Sequence, residues 1–247
     1  MAATVALLSG DRFTLGLGAG ENLNEHVIGG GWPPVNTRHE MLAEAVQIIR
    51  SLFAGGYVDF RGKHFEADAA RLFDLPDEPI PIGIAASGEQ SCRLAGAFGD
   101  VLIAVAPDRD LVEAFDAHGG RGKPRVGQQP ISFARDRDTA IERAHEQFRW
   151  FGGGWKVNAE LPGPSAFAAA SQFVTADDIA SSIPCGDDVG GVVAAAEAWR
   201  DAGFTHLALV QIGGEHQDEF LDWSRDELLP ALAAAGAASR GRNDPGN

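Results

Sequence analysis

Arg12-Phe13-Thr14-Leu15-Gly16-Leu17-Gly18-Ala19-Gly20-Glu21-Asn22-Leu23-Asn24-Glu25 is the stretch on which the reading of the fold turns. A short apolar run feeds straight into a glycine turn, and the turn delivers an acid and two amides. Small residues let a backbone approach a flat ligand closely, and polar groups just past a strand's carboxyl end are where α/β folds build their sites. Glu21 and Asn24 are therefore expected to face a bound ligand.

Outward from that stretch, apolar runs alternate with helical patterns. A glycine-rich loop holding Gly29-Gly30-Gly31-Trp32-Pro33-Pro34 precedes a helix capped by Asn36 or Thr37, with Leu42, Ala45, Val46, Ile49, Leu52 and Phe53 at helical spacing. Tyr57 to Phe65 reads as a small hairpin. Buried strands are expected over 82–86 and 101–105, and further strands over 130–134 and 204–210. Helices are expected over 89–98, 110–117, 138–151, 189–202 and 217–235, with 119–127 as a basic loop. Residues 2–8 read as the end of a helix. Strands alternating with helices mean βα units and a parallel sheet. Five strands emerge, where a (β/α)8 barrel needs eight. The expected organisation is one domain over 1–235 and a flexible tail over 236–247.

The chain has 247 residues, 45% hydrophobic and 22% charged, with a formal net charge of -15. Acidic residues spread along the chain argue against nucleic acid or an anionic membrane surface as the main partner. Cys92 and Cys185 lie far apart and suit two free thiols in a reducing cytoplasm.

Several motifs fall short of their familiar forms. Gly16 and Gly18 fit G-x-G, but the third glycine of a dinucleotide fingerprint would fall at Glu21. Strand-Ser87-Gly88-helix could hold a phosphate on backbone N–H groups, or Ser87 could simply cap the helix. His39-Glu40 begins like H-E-x-x-H, but position 43 is alanine, and no metal site is expected. Trp150, Trp155 and Trp223 read as core or loop anchors.

Three of these stretches in order, Phe13 to Glu25, Ile84-Ala85-Ala86-Ser87-Gly88 and Gly203-Phe204-Thr205-His206-Leu207, carry a resemblance. The chain resembles the luciferase-like oxidoreductases that use coenzyme F420, in particular the branch named after glucose-6-phosphate dehydrogenase. Gln147-Phe148-Arg149-Trp150-Phe151 and Trp155 to Leu161 strengthen the likeness to that branch. The resemblance implies a TIM-type (β/α)8 barrel holding a deazaflavin at its strand ends. It also implies that this chain starts in the helix before the fourth strand, through a late start or a true truncation. The family's Asp-His pair and nearby tryptophan then fall outside it.

Carried over by resemblance, Glu21 is the proton-transferring carboxylate. Ala19 and Gly20 lie against the deazaflavin ring, and Asn24 is a cofactor-binding amide. Ser87 and Gly88 hold the cofactor phosphate, with Gln90 and Ser91 just inside the same helix. Val105, Asp108 and Ser182 stand where the family places a threonine, a lysine and an arginine on a sugar phosphate. An aspartate there would repel a phosphate, and Lys156 is the one candidate to compensate. Glucose 6-phosphate is thus not the expected substrate. The implied activity is hydride transfer between a small organic substrate and coenzyme F420. The rivals are an FMN-dependent monooxygenase and an inactive fragment whose open sheet edges make it express poorly. A homodimer is left open.

Overall fold

A computed structural model describes residues 1–242. Helix α1 (Ala2–Ser9) leads into strand β1 (Leu15–Leu17), the short helix α2 (Asn22–Glu25) and the long helix α3 (Val35–Phe53). The hairpin β2 (Val58–Arg61) and β3 (Glu66–Ala70) follows. Then come β4 (Ile82–Ala85), α4 (Glu89–Phe98), β5 (Val101–Ala104), α5 (Arg109–Phe115) and β6 (Arg125–Ile131). A long excursion carries α6 (Arg137–Phe148), α7 (Trp155–Asn158), α8 (Pro164–Ala170), α9 (Ala176–Ser182) and α10 (Val189–Asp201). It returns to β7 (His206–Gln211), and α11 (Gln217–Trp223) and α12 (Leu229–Arg242) complete the described chain.

Five strands form one parallel sheet in the order β1-β4-β5-β6-β7. Apart from the hairpin, each strand lies beside the next in the chain. Such steady winding in one direction is how a barrel wall is laid down. The register runs from Leu15 opposite Ile82, through Gly83 opposite Val101 and Leu102 opposite Arg125, to Val126 opposite His206. The central strands β4 and β5 are mostly buried, whereas β1 and β7, the sheet's edges among the described residues, are half exposed.

The core lies between the sheet and its helices. Ile82, Ile84, Leu102 and Ala104 pack with Leu42 and Val46 of α3, Cys92 and Ala95 of α4, Leu111 and Phe115 of α5 and Trp199 of α10. A second cluster seats Ile131 and Phe133 on Phe220 and Trp223, whose rings stack on Phe133 or tilt against it. The hairpin forms its own two-stranded sheet. It is tied to α3 because the Glu44 carboxylate accepts the backbone N–H groups of Lys63, His64 and Phe65.

Three elements differ from the sequence expectation. Residues 125–131 form β6 where the basic loop and a later strand at 130–134 are expected. Arg125-Val126-Gly127-Gln128-Gln129 has no continuous apolar run, so its strand character comes from its neighbours and not from its own composition. The second hairpin strand starts at Glu66, beyond the expected Phe65. Helix α12 runs past Gly236 to Arg242, and the rest of the expected tail, 243–247, lies outside the described residues.

Candidate active site

A cleft of about 1130 Å³ opens where the parallel strands end. Each strand sends a residue into it or just past it. Glu21 follows β1, Ala86 and Ser87 follow β4, and Val105 and Asp108 follow β5. Gln128 and Gln129 stand on β6, and Val210 and Gln211 on β7. The far wall is Phe148, Trp150, Trp155, Lys156 and Asn158, from the excursion between β6 and β7. Convergence of loops at the carboxyl ends of parallel strands is where this architecture places its chemistry.

The glycine turn delivers Glu21 as read from sequence. Gly20 sits at φ +80°, and a Cβ there would press on Glu25 and on the Trp32 ring. A side chain at that position is strained on both counts. Ala19 packs on the main core from the side. Glu21 is extended, with φ -135° and ψ 135°, and its carbonyl accepts the N–H groups of Asn24 and Glu25, each at 3.0 Å, to start α2. Among the described residues the Glu21 side chain makes no hydrogen bond, so its carboxylate is available to the cleft. Asn24 is exposed and does not line it.

The second motif folds as a tight turn. The N–H groups of Ser87 and Gly88 both reach Ser91 Oγ at 3.2 Å, and that hydroxyl donates to Gly88 O at 2.9 Å. Ser91, only 7% exposed, therefore shapes the turn from inside, while Ser87 faces the cleft. A Cβ at Gly88 would meet nothing within 4 Å, so the helix start is open. Gln90 is exposed and hydrogen-bonded to the ring of His39 on α3. Burial pushes the His39 pKa down, the Gln90 bond opposes this, and the Arg38 charge adds to it.

Of the expected site residues, Glu21 and Ser87 meet in the cleft. Ala19, Gly20, Gly88, Gln90 and Ser91 belong to the two turns that carry them. The positions compared with a sugar-phosphate site, Val105, Asp108, Lys156 and Ser182, also line it. Gln128 and Gln129, which no motif marks, also line the cleft, and Trp150 and Trp155, expected as core or loop anchors, both face it. Two consecutive amides ahead of Pro130 were the available signal. Gln129 is buried, and its Oε1 is satisfied there by accepting Trp199 Nε1 at 2.8 Å.

Comparison with known proteins gives the family and the fold. The Luciferase-like monooxygenase family model matches residues 1–206. An F420-dependent hydroxymycolic acid dehydrogenase of Mycobacterium tuberculosis is 34% identical over 93% of this chain, which spans 64% of that relative's length. An F420-dependent glucose-6-phosphate dehydrogenase of Nakamurella multipartita is 32% identical, with 94% of this chain and 71% of the relative covered. Among solved structures, an F420-dependent secondary alcohol dehydrogenase in complex with an F420-acetone adduct aligns with a TM-score of 0.82 and 26% identity, over 94% of this chain and 73% of that one. The F420-dependent tetrahydromethanopterin reductase of Methanopyrus kandleri, 19% identical over 94% of this chain and 77% of its own with a TM-score of 0.72, shares the fold. With its parallel strands, its cleft and a family match over most of its length, the chain belongs to the luciferase-like monooxygenase family.

Proposed function

We propose that the protein is an F420-dependent oxidoreductase that moves a hydride between a small, uncharged alcohol or its carbonyl and the deazaflavin. The observation that carries this reading is the placement of Glu21 and Ser87. An unpaired carboxylate and an open helix-start turn stand at the ends of the adjacent strands β1 and β4, in one cleft. The F420-dependent relatives support the choice of cofactor.

The residues present fit such a group. Coenzyme F420, when bound, supplies a ring carbon that exchanges hydride with the substrate. Ala19 and Gly20 would lie along the ring, with Gly20 leaving no side chain in the way. Ser87, Gly88 and Gln90 would hold the phosphate at the start of α4, with Ser91 fixing the turn; Asn24, which does not line the cleft, has no contact to offer there. Glu21 holds or moves the proton of the substrate hydroxyl. The aromatic far wall excludes water.

The lining argues for an uncharged substrate. Val105, Asp108 and Ser182 offer no cation, and among the described residues Lys156 is the one cationic side chain lining the cleft, which Asp108 also lines. A phosphate would need more donors of positive charge than that. The free, buried thiols suit a cytoplasmic protein, and a homodimer is the assembly to check by light scattering.

The test is a fluorescence titration with coenzyme F420 and, separately, FMN, followed by cofactor reduction with secondary alcohols and with glucose 6-phosphate. Binding of F420 and reduction by an alcohol are expected. Preference for FMN with oxygen uptake, or for glucose 6-phosphate, would overturn the reading.

A further inference from the structure

The loop that presents Glu21 and the segment that walls the cleft are latched together by one ion pair outside the site itself. Arg38, in α3, is only 6% exposed. Its Nη1 donates to Pro33 O and its Nη2 to Glu160 Oε1, both at 2.8 Å. The other carboxylate oxygen, Oε2, accepts Trp32 Nε1 at 2.7 Å, and the guanidinium lies over the Trp32 ring, 4.0 Å from its centre. One carboxylate thus satisfies two donors that both come from the loop and helix following Glu21.

The same segment grips the backbone beside Glu21. Asn22 N donates to Ala159 O at 3.0 Å, and Asn22 Nδ2 donates to Glu160 O at 2.9 Å. Glu160 also ends the segment in which Trp155, Lys156 and Asn158 face the cleft. Asn158 Nδ2 in turn donates to Trp150 O at 3.0 Å, which ties in the next aromatic of that wall. The Glu21 side chain has no hydrogen bond among the described residues, so what the surrounding chain fixes is its backbone, and with it the point from which the carboxylate enters the cleft. That backbone is held by Asn22 on one side and by the start of α2 on the other.

We propose that Arg38 and Glu160 are positioning residues, which hold the two walls of the cleft in register and thereby aim the Glu21 carboxylate. The inference rests on the reading of Glu21 as the proton-transferring group. A carboxylate is required at position 160 because both of its oxygens face N–H donors; an amide can accept from one and must oppose the other. A small misplacement of a reacting group costs turnover far more than it costs binding.

The test compares Glu160→Gln, Arg38→Met and Glu21→Gln in the full chain. Amide hydrogen exchange, F420 affinity by fluorescence quenching, and kcat and KM with an alcohol are read for each. In Glu160→Gln and Arg38→Met, exchange is expected to quicken together over residues 21–25 and 155–161. Turnover should fall by about tenfold, with KM and F420 affinity within about twofold and the pH profile otherwise unchanged. Faster exchange in one segment alone, or undiminished turnover beside a strongly impaired Glu21→Gln, would overturn the latch. If Glu21→Gln itself turns over normally, the proton-transfer reading fails instead, and joint exchange of the two segments still decides whether the latch exists. Should Arg38→Met not fold, Trp32→Phe removes one of the two donors without touching the charge pair, and the same paired exchange is expected in weaker form.

Discussion

Trp199 of α10 packs on the backbone of Gly127 in β6, so close that a Cβ at position 127 would strike its six-membered ring. The indole is almost wholly buried, and its N–H is fixed on Gln129 Oε1. Neither partner can move away cheaply. Gly127→Ala is expected to cost about 1–3 kcal/mol by overpacking and to lower the melting temperature by several degrees. An unchanged melting curve would mean that the helix shifts freely on the sheet.

Glu21→Gln keeps the size of the side chain and removes its capacity to hold a proton. Turnover with an alcohol is expected to fall by about a hundredfold or more, while F420 affinity should change little, since the contacts proposed for the ring and the phosphate come from other residues. Full turnover would take Glu21 out of the mechanism.

His39 gives the stability a dependence on mildly acid pH. Its pKa is depressed from 6.5, chiefly by burial. The unfolded chain therefore binds the proton first as pH falls. The stability that neutral His39 contributes is full above the unfolded value and is lost as pH drops below it through the folded value. Melting at about pH 7.5 and about pH 5.5 should show a drop that is smaller in His39→Gln. Equal drops in both proteins would remove His39 as a source.

Both cysteines should be inert in the native state. Burial pushes the Cys92 thiol up to about 12, with the Asp108 charge adding to it, and burial also raises Cys185. A thiolate-selective reagent is expected to label neither near neutral pH until the protein unfolds. Rapid labelling of either in the folded protein would contradict the packing described here.

The opening stretch was legible because several kinds of signal coincide in it. An apolar run, glycines and a polar cluster occur together between Phe13 and Glu25, and the structure folds them as strand, turn and helix start. Ile82 to Ala85 and Val101 to Ala104 were legible as buried strands for the same reason, being nearly all apolar. β6 was not, since Gln128 faces the cleft and Gln129 is paired with Trp199, so polar residues occupy positions where an apolar pattern is sought. The Arg38–Glu160 pair was beyond reach. Its partners stand 122 residues apart, and each alone looks like an ordinary surface charge. The turn at Ser87 and Gly88 was visible as a motif, but its internal hydrogen bonding through Ser91 needs three-dimensional placement.

The winding of the sheet also bears on how the chain acquires its shape. β4 and β5 pair across a short loop and helix, with Gly83 beside Val101, so their contact closes a small loop and forms early. β6 and β7 are joined instead across a separation of 80 residues, as the Arg125–Thr205 contact shows. That closure carries the largest entropic cost in the sheet, because the whole excursion must be gathered first. The segment from Trp150 to Glu160 is therefore expected to be set in place late in folding, together with the docking of β7, as pulse-labelled hydrogen exchange would show.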